Sequence, residues 1–464
     1  MKRTLVFTTV ALLAYFVTVS PLNAFTLSLD EPVVLEWHSV MGPLTANPVI
    51  EFEGDLTKGE TKRDRFSDTP KWIVPGAFGN DGKDDLVVLF DDGTLRYLSF
   101  SKNSIRTVST SDGLSPDSPP VILNKESDRF GRGILCIDDR GDMVLITPEN
   151  GRKRPIADGF SKLTYPTVAD LDGDGEIEIL VVDENGRFTV ITNRNVTRTE
   201  KRTTLLPDAR IVVGDLNGDK TNEAVALTRP TSEFEYTRLG DNIEAGGLAV
   251  FSWDGKSVNL EDEFKLTGDL VFEDHTPLLA DISDEEGLEI IVPVTEDGNG
   301  TKLWSFYYIS ERIREIRRGP ASKSTDWVQP LGVGVLGDSD RKSILYVTNP
   351  DSSGTLEVSR TDLANTRIKA ENSISIQIPG TRTIETALIG DFDSDGGLEL
   401  LAPSADRKSI NLFSLEKNRF RTWEIYSGNR VLSTNIAPGD FNGDGKHDVA
   451  AGFDDGSVII ILGE

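Results

Sequence analysis

Four nine-residue stretches hold the residues best suited to chemistry in this 464-residue chain: Asp170 to Glu178 (DLDGDGEIE), Asp215 to Glu223 (DLNGDKTNE), Asp391 to Glu399 (DFDSDGGLE) and Asp440 to Asp448 (DFNGDGKHD). Each sets carboxylate or amide oxygens at positions 1, 3 and 5 and a carboxylate at position 9. The sets are Asp170, Asp172, Asp174 and Glu178; Asp215, Asn217, Asp219 and Glu223; Asp391, Asp393, Asp395 and Glu399; and Asp440, Asn442, Asp444 and Asp448. Oxygen donors crowded at this spacing suit a hard cation, and so large and flexible a set suits Ca2+ better than Mg2+. The competing reading is an acidic turn without metal, because Asp and Asn favour turns by themselves. A weaker copy, Asp281 to Glu289, keeps oxygens on Asp281, Ser283, Glu285 and Glu289 but lacks a glycine at position 6.

The elements that must position these loops are strands. An EF-hand would need a bidentate Glu at position 12 and flanking helices, but Val181, Ala226, Ala402 and Ala451 stand there. Short apolar runs follow the loops (Ile179 to Val182, Leu400 to Leu401, Val449 to Ala451), then a turn such as Asp183 to Gly186, Asp91 to Gly93 or Asp454 to Gly456, then a second apolar run. That is a β-hairpin pattern. With position 1 as ruler, eight units start near residues 77, 125, 170, 215, 281, 335, 391 and 440. A period of this size with several short strands per unit predicts an all-β fold, a β-propeller of four-stranded blades, with eight blades favoured over seven. The last unit stops just after Val458 to Leu462, so its outer strand is expected from the N-terminal run Pro32 to Trp37, closing the ring. Residues 41 to 70 are expected to be an excursion before the first blade.

Gly439 to Ser457 (GDFNGDGKHDVAAGFDDGS), Ala169 to Gly186 (ADLDGDGEIEILVVDENG) and Gly390 to Pro403 (GDFDSDGGLELLAP) resemble the FG-GAP/VCBS repeat family. These calcium-loop propellers include the integrin alpha-chain head and many secreted bacterial proteins. The resemblance covers most of residues 70 to 464, and at three or four units it is specific. It implies three to five Ca2+ sites, held by the side chains at positions 1, 3, 5 and 9 and by the position 7 carbonyls of Glu176, Thr221, Gly397 and Lys446. The chain departs from the pattern at Ala77, Gly79, Val335 and Gly337, and no ligand role carries over there.

Composition bounds the function. Acids outnumber bases by 76 to 49, giving a formal charge of −27, which excludes a nucleic-acid partner. Residues 1 to 24 read as a cleavable secretory signal: Lys2 and Arg3, an apolar run from Leu5 to Val19, and a small residue at Ala24. An uncleaved anchor is the alternative; no later stretch reaches membrane length, so no span is expected after cleavage. The expected location is secreted, periplasmic or cell-surface, with residues 25 to 464 forming one propeller domain. The single cysteine, Cys136, is expected in a buried strand, and no intramolecular disulfide is available.

Two function classes follow. The first is a non-catalytic module binding a protein or carbohydrate; the second is a secreted polysaccharide lyase or hydrolase. His38, His275 and His447 fall in no recognisable catalytic pattern, which favours binding. The long connection Arg229 to Gly246 offers Phe234, Tyr236 and Arg238 to a ligand. The basic run Tyr307 to Arg318 reads as an outer strand or short helix with a solvated face, or as an anion-receiving patch. Oligomeric state is left open.

Overall fold

The computed structural model describes residues 49–50, 61–79, 82–101, 104–123, 130–200, 205–228, 244–267, 269–271, 276–282, 286–296, 300–321, 328–335, 342–348, 357–362, 369–375, 388–390, 392, 399–404, 406–416 and 419–463. Among these residues there is no helix, and the strands form eight sheets. In each, consecutive strands pair antiparallel, in the order a, b, c, d for units one to seven. The a strands end at Gly76, Leu123, Ala169, Gly214, Ala280, Val335, Gly390 and Gly439, at or within two residues of the unit starts read from the loop pattern.

Burial orders the strands within a sheet. The b strands are continuous apolar runs because both faces are covered: Asp85–Phe90, Glu178–Val182, Glu223–Thr228 and Asp448–Phe453 are buried throughout. The d strands Lys153–Ala157 and Val196–Arg198 hold no buried residue, each being exposed or half-buried. Successive sheets share their cores. Unit three packs on unit four through Phe188 stacked on Phe251, ring centroids 4.3 Å apart. Unit eight packs on unit one through Phe441, Ala450 and Ile460 against Ile73, Val88 and Phe90, which brings the two ends of the chain together. Cys136 is buried in the strand Gly133–Ile137, and burial pushes its thiol pKa up.

The strand that completes unit eight is Thr61–Arg65, paired antiparallel with Ser457–Ile461 from Thr61↔Ile461 to Arg65↔Ser457. This corrects the assignment of that edge to Pro32 to Trp37, a run outside the described residues. It also corrects the excursion, since residues 41 to 70 include this strand and Val49–Ile50, which pairs parallel with Ile389 and Gly390. The reason is physical. An outer strand is half-solvated, so TKRDR needs no apolar pattern; Arg63 Nε instead donates to Ser457 Oγ at 3.1 Å, and Arg65 Nε to the Asp455 carbonyl at 2.9 Å. The next residue, Phe66, then packs edge-on against Phe90.

Two further segments take definite form. Tyr307 to Arg318 is a hairpin in which Gly300–Tyr308 turns through Ser310 and Glu311, both at positive φ, into the outer strand Ile313–Ala321. The long connection of unit four is shorter than expected at its end, because Glu244–Trp253 is strand c, with Glu244 paired to Thr267.

Candidate metal centre

Each acidic loop joins strand a to strand b of one sheet, and one bond recurs in all five. The position 9 carboxylate, the first residue of strand b, folds back to accept the backbone N–H of position 2: Glu178 from Leu171 (3.0 Å), Glu223 from Leu216 (2.9 Å), Glu289 from Ile282 (2.8 Å), Glu399 from Phe392 (2.8 Å) and Asp448 from Phe441 (2.9 Å). All five carboxylates are buried. The position 2 residues Leu171, Leu216, Phe392 and Phe441 are buried apolar side chains that anchor the loop in the core. Burial of position 2 thus leaves the polar side chains at positions 1 and 3 of the Asp170, Asp215 and Asp440 loops partly exposed, outside the core.

The rest of the frame is made by the position 1 and position 3 oxygens. Asp170, Asp215 and Asp440 accept the position 6 N–H at 2.8, 2.8 and 2.9 Å. Asp215 and Asp440 also accept the N–H of Gly218 and Gly443, at 2.7 and 2.6 Å. Positions 4 and 6 turn at positive φ: Gly173 and Gly175, Gly218 and Lys220, Gly443 and Gly445. In the Asp281 loop Gly287 carries the positive φ of 96°, at position 7.

Position 3 separates the loops chemically. Asn217 donates its amide N–H to Asp219 at 3.1 Å and to Glu223 at 3.0 Å, and Asn442 donates to Asp444 at 3.0 Å, so those carboxylates are met from within. Position 3 of the Asp170 loop is Asp172, which has no amide N–H in its side chain. There the oxygens of Asp170, Asp172 and Asp174 converge within 4.8 Å of one another, and Asp170 Oδ1 is buried with no hydrogen-bond partner. A buried anionic oxygen that accepts nothing costs free energy unless a cation meets it. The donor set at Asp170 therefore fits a hard divalent cation as it stands. The Asp215 and Asp440 sets fit one with the amides of Asn217 and Asn442 turned over.

Electrostatics point the same way. Burial, with the charges of Asp172, Asp174 and Asp170 behind it, pushes Glu178 up to about 7 against the Leu171 N–H. Glu223 is raised to about 7 by burial and by Asp219, Asp215 and Glu261. Asp448 rises to about 7 through burial, with Asp444 adding and the Gly463, Phe441 and Asn442 N–H groups opposing.

The remaining residues read from the sequence divide between seen and unseen. Glu176, Thr221 and Lys446 stand at position 7, their own N–H groups held by Asp174, Asp219 and Asp444. Asp281 and Glu289 are brought to one loop, while Ser283 and Glu285 lie outside the described residues, as do Asp391, Asp393, Asp395 and Gly397 and the trio Phe234, Tyr236 and Arg238. One participant escaped sequence reasoning. Asp84, at position 8 of the degenerate loop starting at Ala77, accepts the Asp440 N–H at 2.9 Å and donates its own N–H to the Asp440 carbonyl at 2.8 Å. Burial, with the Asp440 and Asp85 charges, pushes Asp84 up to about 6.

Comparison with curated protein sequences gives no match. Among solved structures, the chain is similar to the BP39L lectin from Burkholderia pseudomallei at 12% identity and a TM-score of 0.49, over 81% of this chain and 99% of that one. BamB from Moraxella catarrhalis matches at 11% identity and a TM-score of 0.47, over 86% and 98% of the two chains. Sqt1 from Saccharomyces cerevisiae matches at 11% identity and 0.45, over 90% and 100%. A family model matches residues 391–451, from position 1 of one acidic loop to position 12 of the next, and this segment is an FG-GAP-like repeat.

Proposed function

We propose that this chain is a non-catalytic binding or scaffold module outside the cytoplasm, a ring of eight blades closed by Thr61–Arg65 and held by Ca2+ in its acidic loops. The observation that carries the reading is the Asp170 loop, where carboxylate oxygens of Asp170, Asp172 and Asp174 lie within 4.8 Å of one another and Asp170 Oδ1 is buried without a hydrogen-bond partner. Asp170, Asp172, Asp174 and Glu178 would hold the first ion with the Glu176 carbonyl; the Asp215, Asp391 and Asp440 loops would hold others, and the Asp281 loop a weaker one. The bound ion supplies charge neutralisation, so its binding free energy adds to the stability of the blades. Loops of this exposed kind match extracellular calcium, at about 10⁻⁴ to 10⁻³ M, which accords with the secretory signal read at residues 1 to 24.

The carboxylates with raised pKa support structure rather than catalysis, since Glu178, Glu223 and Asp448 each stitch a loop to its own backbone. The partner, a protein or a glycan, would meet the face opposite the metal loops. Strands reverse at every turn, so the connections between b and c lie there, and the longest in sequence runs from Thr228 to Glu244 in unit four. Deleting residues 231 to 243, which spares strand c from Glu244, should leave folding intact and abolish capture on a glycan and cell-surface protein array. The metal reading is tested by melting the protein at low ionic strength with Ca2+ and with chelator: Ca2+ should raise the midpoint, and equal midpoints would refute it. Release of unsaturated sugars from polysaccharides would favour the enzyme reading instead.

A further inference from the structure

Successive acidic loops touch one another, and they do so in the same way at three junctions. Position 8 of one loop bonds the position 1 carbonyl of the loop before it: Asn222 Nδ2 donates to Asp170 O at 2.8 Å, Leu288 N to Asp215 O at 2.9 Å and Asp84 N to Asp440 O at 2.8 Å. Positions 6 and 7 of the later loop lie over the position 4 glycine of the earlier one. A Cβ on Gly218 would meet Glu286 Cβ at 2.9 Å, one on Gly443 would meet Lys83 Cε at 2.7 Å, and Gly173 faces the Lys220 carbonyl at 3.6 Å. The glycine at position 7 of the Asp281 loop is required at the same junction, because a Cβ on Gly287 would stand 2.3 Å from the carbonyl of Leu216, position 2 of the earlier loop.

The third junction joins the last unit to the first. There Asp84 holds both backbone polar groups of Asp440, its N–H on the carbonyl and its carboxylate on the Asp440 N–H at 2.9 Å. The loop from Ala77 to Asp85 has lost its oxygens at positions 1 and 3, and its position 9 carboxylate, Asp85, accepts the Tyr97 hydroxyl. It nevertheless keeps the position 8 contact. What this loop retains is the part that serves its neighbour.

We infer that position 8 of each loop is a positioning residue for the metal site of the preceding loop: Asn222 for the site at Asp170, and Asp84, from a loop with no site of its own, for the site at Asp440. The position 1 residue supplies a ligand and starts the turn, so fixing its carbonyl and N–H orders the cage before a cation arrives. Affinity at one site then depends on a residue in the next sheet, and at Asp440 it depends on the meeting of the two chain ends. This inference rests on the calcium reading above.

The test titrates the full-length protein with Ca2+ and follows hydrogen exchange in peptides covering 167–182, 211–228 and 432–453. In the wild type each peptide should gain protection with its own midpoint. Asn222→Ala should raise the midpoint of 167–182 about tenfold, the loss of one hydrogen bond, and leave 432–453 unchanged. Asp84→Ala should do the reverse, while Asp84→Asn, which keeps an acceptor for the Asp440 N–H, should restore most of the affinity. Unchanged midpoints in both alanine variants would overturn the inference, and so would a uniform shift of all peptides, which reports general loosening. A midpoint at 432–453 raised equally by Asp84→Asn would make Asp84 a charged ligand and overturn its positioning role. A wild type that gains no protection anywhere would fail the calcium reading itself, a result distinct from all of these.

Discussion

Lys220 occupies position 6 of its loop at φ 72°, where the Asp170 and Asp440 loops place Gly175 and Gly445 at 88° and 83°. An L-residue in this region pays roughly 1–2 kcal/mol, part of which a glycine returns as unfolded-state entropy. Lys220→Gly should therefore stabilise the protein by about 0.5–1 kcal/mol, read as a higher denaturant midpoint at constant slope. The position 9 carboxylates predict a pH dependence. Glu178 and Glu223 rise from an ordinary 4.5 to about 7 in the folded chain, and Asp448 from 3.8 to about 7. A raised folded pKa means the folded state holds the proton more tightly. Its contribution is complete below the unfolded value and is lost as pH climbs through the folded one. In chelator the stability should fall between about pH 5 and pH 8, by about a few kcal/mol in all, and the melting midpoint with it. With Ca2+ present the fall should disappear, because the ion favours the ionised carboxylates. Glu178→Gln should flatten the chelator curve, and a curve as steep as the wild type's would remove Glu178 from the account.

At the scale of the element, one device recurs on the face opposite the acidic loops. The residue in the left-handed position of the b–c turn accepts, through its carbonyl, the N–H of an apolar residue that follows strand d: Gly93 from Leu114 (3.0 Å), Gly141 from Phe160 (3.2 Å), Arg407 from Leu432 (2.7 Å) and Gly456 from Phe66 (2.8 Å). The fourth pair crosses the chain, which makes Thr61–Phe66 the d segment of unit eight by the same criterion that defines the others. Gly456 stands at φ 80°, and a Cβ there would lie 2.1 Å from the Phe66 carbonyl. Gly456→Ala should cost about 2–4 kcal/mol, from strain and overpacking together, with hydrogen exchange rising first in residues 61–66. The acidic loops were legible in the sequence because their turn and the bonds made by positions 1 and 9 need particular residue types at fixed spacing. The outer strand Thr61–Arg65 was not, because an outer strand wants only extended backbone and a few anchoring bonds, and Pro32 to Trp37 offered the more apolar run. The latch at position 8 was equally hidden: Asn222, Leu288 and Asp84 share no chemistry, and two of the three bonds start from backbone N–H groups.

For the whole molecule, the decisive question is how much of the stability depends on the meeting of the chain ends. Unit eight touches unit one through a buried cluster, through Asn435, which bonds both the N–H and the carbonyl of Ile73 at 3.0 and 2.8 Å, and through the Asp84 latch. None of these contacts uses Thr61–Arg65. That strand instead covers the open edge of Ser457–Ile461 and brings Arg63 to Asp455 at 3.3 Å, beside Arg430 at 2.6 Å. The contact between units eight and one thus has two parts, a core seam that holds the two sheets together and a strand that protects an edge. A chain beginning at Pro70 keeps the first and loses the second. It should still fold, with a lower midpoint, and it should self-associate, because an uncovered apolar strand such as Val458 to Ile461 pairs with its like. Size-exclusion chromatography against a chain beginning at Phe25 reads the outcome directly. Adding a peptide of residues 61–66 should return the truncated chain to the monomer position. If the truncated chain instead ran as a monomer with an unchanged melt, the edge would be protected by something other than Thr61–Arg65, and the division of labour between seam and strand would be wrong.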